Sequence, residues 1–235
     1  MLLEAQTLEF RVGKTQILRK VNLGVEAGEV TGLLGRNGSG KSSILKNLIG
    51  LYRPTGGKVS FKGKDITQWP ARKRVLEGLA YSPEDTRVFP ELTVEENIRL
   101  GAWVLEGAGR VPQVTMDTAL EIFPALKKLL SRNGTQLSGG EKKMVSIARA
   151  LSLSPNLLLL DESFEGLAPL VVRHFIEAMK QIKEKGISIL LAESNLRNAS
   201  LVADRAYVVE RGEVIFEGPP EKIQEDRKLM MIVGR

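Results

Sequence analysis

Between a short apolar run and an amphipathic stretch the chain reads Gly35-Arg36-Asn37-Gly38-Ser39-Gly40-Lys41-Ser42, with Ser43 following. This fits the phosphate-binding loop pattern G-x-x-x-x-G-K-[ST], which needs a strand before it and a helix after it. Glycines let the backbone curl so that several N–H groups point inward at a phosphate. The helix that follows adds its positive end. Lys41 would reach the β- and γ-phosphates, and the Ser42 hydroxyl would bind Mg²⁺. The bland alternative is a flexible glycine turn, and the flanks argue against it. Val30 to Leu34 is an apolar run ending at glycine, as a buried strand would. After the loop, Ile44, Leu45, Leu48 and Ile49 share one helical face, and Gly50 stops the helix.

The rest of the chain agrees with that unit. Glu4 to Val12 and Ile17 to Val25 read as strands broken by Gly13-Lys14. Roughly Val88 to Ser152 reads as mainly helical, interrupted near Gly107-Ala108-Gly109, Pro112 and Pro124. Strand and helix then alternate: Asn156 to Leu160, Leu170 to Lys185, Ile187 to Ala192, Ala206 to Glu210. The helix in this series carries Val172, Phe175, Ile176 and Met179 at i, i+3, i+4, i+7, and His174 on the opposite, solvated face. Alternation of this kind implies an α/β fold with a mostly parallel sheet, and the helical middle implies a second lobe.

Composition closes off other classes. With no cysteine and one histidine in 235 residues, a disulfide framework and a thiolate metal site are excluded. The longest apolar stretches fall far short of the ~20 residues that span a bilayer, and the amino terminus lacks a secretory pattern. Lys and Arg exceed Asp and Glu by six, 34 against 28; an excess of that size suits a phosphate ligand, nucleic acid, anionic lipid or an ordinary surface alike.

Two further motifs carry chemistry. Leu157-Leu158-Leu159-Leu160-Asp161-Glu162 places two carboxylates at the carboxyl end of a buried strand, where ligands sit in open α/β folds. Asp161 would hold Mg²⁺, and Glu162 would orient and polarise the attacking water. Leu137-Ser138-Gly139-Gly140-Glu141 opens a helix with Met144, Ile147, Ala148 and Leu151 on one face. Ser-Gly-Gly there serves either as a cap or as an anion cradle, and the residues alone leave both open.

Taken together, in this order and spacing, these three motifs resemble the nucleotide-binding subunit of an ATP-binding cassette (ABC) transporter, over nearly the whole chain. Tyr81-Ser82-Pro83-Glu84, Val88 to Asn97, Glu165-Gly166-Leu167-Ala168-Pro169 and Asp204 to Val208 look closer still to the ATPases of branched-chain, or hydrophobic, amino-acid importers. The resemblance implies one cassette of the P-loop NTPase type with a mostly parallel core sheet, an antiparallel β subdomain and a helical subdomain. Its core and β lobe would take about 1–87 and 153–235, and its helical part about 88–152. ATP and Mg²⁺ would be its ligands, with Glu84 beside Ser42 and Asp161 at the metal. A head-to-tail dimer with a second ABC ATPase subunit, like or unlike, would sandwich ATP between the phosphate loop of one copy and Leu137, Ser138, Gly139, Gly140 and Glu141 of the other. Glu165, Gly166, Leu167 and Ala168 would cross that interface. Glu84 would couple the site to transmembrane permeases on the cytoplasmic face of the inner membrane. A solute-binding protein would be an indirect partner, and nucleic acid none.

Three positions depart from the pattern. Val12 stands where an aromatic ring stacks on adenine, with Phe10 as the expected substitute from the same strand face. Ser194 stands at the switch position, where a short hydroxyl would act only through water. Ser163 replaces a proline after the two acids. Alternatives to amino-acid import are another solute such as urea or an amide, lipopolysaccharide export, or a soluble cassette ATPase acting on nucleic acid or ribosomes.

Overall fold

The computed structural model describes residues 1–233. The chain opens with β1 (Leu3–Val12), β2 (Thr15–Val25), β3 (Val30–Leu34), α1 (Lys41–Ile49), β4 (Gly56–Phe61), β5 (Lys64–Asp65), α2 (Ala71–Leu76) and β6 (Leu79–Ser82). A helical middle follows with α3 (Val94–Glu106), α4 (Met116–Ile122) and α5 (Gly139–Leu151). The remainder is β7 (Leu157–Asp161), α6 (Pro169–Glu184), β8 (Ser188–Glu193), α7 (Leu196–Ala199), β9 (Arg205–Glu210), β10 (Glu213–Gly218), α8 (Pro220–Glu225) and α9 (Arg227–Val233).

Two sheets result. The larger has the order β10-β9-β3-β8-β7-β6, parallel throughout except for the edge strand β10. The smaller is antiparallel, in the order β2-β1-β4-β5. Strands β3, β7 and β8 are buried at every position, the mark of a parallel sheet covered on both faces. Because successive side chains alternate across a strand, β7 divides its leucines between two cores. Leu158 and Leu160 join α5, α6 and the helical middle. Leu157 and Leu159 join α1 and the antiparallel sheet. Burying one large aliphatic side chain is worth about 1.5–3 kcal/mol, so the four-leucine run anchors both halves.

The expected strands and helices stand within two residues of their sequence-read bounds. His174 is exposed as its helical phase required. Between Leu51 and Ser82 the sequence carries no clear period, because β4, β5, α2 and β6 are short and broken by glycine and charge, and β10 and α7 to α9 are equally short.

Candidate active site

The phosphate loop leaves β3 at the centre of the carboxyl edge of the large sheet. Gly35 is packed so tightly that an added Cβ would lie 2.3 Å from the Val209 carbonyl oxygen and 2.6 Å from Ser39 Oγ. Gly38 and Gly40 have φ of 81° and 115°, which side chains with a Cβ rarely adopt. Gly40 is the N-cap of α1 with no side-chain cap, and the first turn holds no acidic residue. The free N–H groups and the positive helix end therefore face the loop's interior. Ser39 Oγ is buried without a hydrogen-bond partner. Lys41 is buried and folds back into the loop, donating to the carbonyls of Gly35 at 2.7 Å and Arg36 at 3.2 Å. An orphaned hydroxyl, unpaired amides and a buried ammonium make a cradle suited to a phosphate chain. Arg36 and Asn37 are exposed at its rim, while Ser42 and Ser43 are half-buried on the first turn of α1.

Strand β7 delivers both acids to this loop. Asp161 Oδ1 accepts the Ser42 hydroxyl at 2.9 Å, and its Oδ2 accepts the Tyr81 hydroxyl at 2.9 Å. Burial pushes the Asp161 carboxyl above the ordinary carboxylate range, against the pull of these two donors. Ser42 and Asp161, joined by their hydrogen bond, offer hard oxygens of the kind Mg²⁺ takes, and Glu84 lines a cavity together with Asp161. Glu162 Oε1 lies 2.9 Å from Lys41 Nζ, with the side chains 5% and 4% exposed. Its other oxygen, Oε2, accepts both the backbone N–H and the hydroxyl of Ser194, each at 3.2 Å. Ser194, at the switch position, thus touches the Glu162 carboxylate directly. Glu162 itself has φ 47°, and Ser163 in place of a proline is buried beneath it.

The remaining expected residues surround this centre. Glu84 is exposed on a cavity of about 640 Å³ that also takes in Lys46, Tyr52, Tyr81 and Asp161. Burial and the neighbouring charges of Asp161, Glu165 and Glu162 push the Glu84 carboxyl up. At the start of α5, Ser138 Oγ accepts the Glu141 N–H and Glu141 accepts the Ser138 N–H. This is the capping box that the cap reading expects. Leu137 is buried, while Ser138 and Gly139 are exposed. The segment makes no hydrogen bond to the phosphate loop among the described residues. A Cβ on Gly140 would instead touch Leu167 and Val171 at 3.5 Å, so Leu137 to Glu141 and Glu165 to Ala168 are neighbours on a face of their own.

Phe10, the expected substitute ring, lies two residues before Val12 on β1, and the register shift between Phe10 and Arg11 puts its extra residue in β2. Phe10 is buried and stacked on Tyr52, centroids 4.9 Å apart. Val12 is 60% exposed at the hairpin tip.

Sequence alone does not mark three contributors to this centre. Tyr81 belongs to a motif and also holds Asp161. Lys143, on α5, donates to the carbonyls of Glu162 at 2.6 Å and Glu165 at 2.7 Å. Glu193 ends β8 and accepts the Phe164 N–H at 2.9 Å. An acid closing an apolar run, as in Leu190-Leu191-Ala192-Glu193, is the same signal that marked Asp161.

A family described as "ABC transporter" matches residues 18–165. The high-affinity branched-chain amino acid transport ATP-binding protein BraG of Pseudomonas aeruginosa is 39% identical over 204 residues, covering 87% of each chain. The lipopolysaccharide export system ATP-binding protein LptB of Haemophilus influenzae is 33% identical, covering 98% of this chain and 96% of its own. Among solved structures, an ATP-binding cassette of an ABC transporter in its ADP conformation superposes with a TM-score of 0.85 at 29% identity, covering 100% of this chain and 99% of the other.

Proposed function

The chain belongs to the ABC transporter family, as an ATP-hydrolysing subunit, and we propose that it powers an importer of branched-chain or related hydrophobic amino acids. The observation that carries the catalytic part is the Glu162 carboxylate, paired with Lys41 at the phosphate loop and steadied by Ser194. The importer reading rests on the similarity to BraG and on the segments around Glu84 and Glu165. Similarity to a lipopolysaccharide export protein covers more of the chain, 98% against 87%, but Glu84 and Ser194 stand where that reading expects glutamine and histidine.

In this reading Gly35 to Ser43 bind the triphosphate through backbone N–H groups. Lys41 turns from the Gly35 and Arg36 carbonyls and from Glu162 toward the β- and γ-phosphates. That frees one carboxylate oxygen of Glu162 to accept a proton from the attacking water, while Ser194 holds the other. Ser42, Asp161 and Glu84 would hold Mg²⁺, which when bound neutralises phosphate charge. Val12 offers no ring to the base, so phosphate contacts supply most of the affinity. Leu137 to Glu141 and Glu165 to Ala168 would meet a second ATPase subunit. The cavity beside Glu84 would receive a transmembrane permease at the cytoplasmic face of the membrane; among the described residues no helix is long and apolar enough to cross one.

The test compares MgATP hydrolysis by the purified chain with its Glu162→Gln variant, with oligomeric state followed by light scattering. A fall of about 10²–10⁴ in turnover together with an ATP-trapped dimer is expected. Undiminished hydrolysis in the variant overturns the role of Glu162. For cargo, cells lacking the gene are assayed for uptake of labelled leucine and urea; loss of urea uptake alone overturns the amino-acid reading.

A further inference from the structure

The end of β8 braces the catalytic turn at three successive residues. Ala192 accepts the Glu162 N–H at 2.9 Å through its carbonyl. Glu193 accepts the Phe164 N–H at 2.9 Å through its side chain. Ser194 donates twice to the Glu162 carboxylate. The backbone carbonyl of Glu193 also accepts the Gly35 N–H at 3.3 Å. Glu193 therefore ties the first residue of the phosphate loop to the turn that carries Glu162.

We propose that Glu193 is a positioning residue for hydrolysis, fixing the Glu162 turn against the phosphate loop through its Phe164 contact. Its side chain is 1% exposed, and a carboxyl is a costly choice at such a site. What the turn takes from it is one acceptor oxygen for the Phe164 N–H. Glu162 has a positive φ and needs its neighbours to hold that conformation. The charged groups that face Glu193 are Glu162 from the same turn, Lys143 from α5 and Lys41 from α1. Their positions put Glu193 where a shift of the turn would alter the distance from Glu162 to Lys41.

This proposal rests on Glu162 being the base. Steady-state MgATP hydrolysis is therefore measured for the full chain and for Glu162→Gln, Glu193→Ala and Glu193→Gln. Misplacing a reacting group by about an ångström costs about a hundredfold. The expected result is a kcat loss of that order in Glu193→Ala with KM for MgATP little changed, and recovery to within about tenfold of wild type in Glu193→Gln, which keeps the acceptor oxygen. Thermal unfolding of both Glu193 variants separates misfolding from mispositioning, since Glu193→Gln stays folded and active if the contact alone matters. Glu162→Gln inactive with Glu193→Ala near wild type overturns the proposal. Equal losses in the two Glu193 variants overturn it as well, and an active Glu162→Gln overturns it together with the reading beneath it.

Discussion

Lys41 and Glu162 form a buried ion pair whose partners answer each other's charge only while no phosphate intervenes. Removing one partner leaves the other charge buried and unpaired, which costs about 3–5 kcal/mol. Lys41→Met should lower nucleotide-free stability by that amount, and the double variant with Glu162→Gln should recover most of it, as read by urea unfolding. Glu193 gives a second residue-scale prediction. Burial pushes its carboxyl from 4.5 to about 8. The folded state therefore holds a proton that the unfolded chain releases between those values, so stability falls as pH rises through that window. It is fully present below about 4.5 and lost above about 8. Unfolding free energy of wild type minus Glu193→Gln, followed by denaturant titration, should decline from pH 5 to pH 8 and then level off; a flat difference contradicts the assignment.

At the scale of elements, helix α1 is finished at both ends by unlike devices. Its N-terminus is left open at Gly40. Its C-terminus is closed by Arg74 from α2, which is 1% exposed and donates to the carbonyls of Asn47 and Leu48, and also to those of Thr67 and Trp69. A cation at a helix C-terminus complements the macrodipole, and burial pulls this guanidinium down to about 10. Arg74→Met should cost about 3 kcal/mol or more, because several buried carbonyls lose their donor at once, and thermal unfolding would show it. Helix α5 links three regions in the same manner. Its capping box joins Ser138 and Glu141, Lys143 grips the turn at Glu162, and Arg149 donates to the Thr86 and Arg87 carbonyls just after Glu84.

For the whole molecule, the phosphate loop and both acids meet at the carboxyl edge of one sheet, so nucleotide binding ties its strands together. At about a hundredfold over Kd, a ligand adds about 2.7 kcal/mol to stability, which in a chain of this size raises Tm by roughly 5–10 °C. MgATP should produce such a shift in differential scanning calorimetry, and ADP without Mg²⁺ a smaller one. Much of this centre was legible in residue order, because phosphate chemistry requires a local octapeptide and a four-leucine strand can only be buried. By itself, then, the sequence determined the parallel core, the loop and the two acids, since each depends on neighbours within about one turn or one strand. Tertiary structure alone decided that Phe10 is covered, since the ring stacked on it, Tyr52, lies beyond α1 in the chain. It alone brought Tyr81 to Asp161, Lys143 to the catalytic turn, and Glu193 and Ser194 around Glu162. Those contacts join residues 19 to 80 positions apart, and it is the order of strands β6, β7 and β8, not any local period, that makes them adjacent.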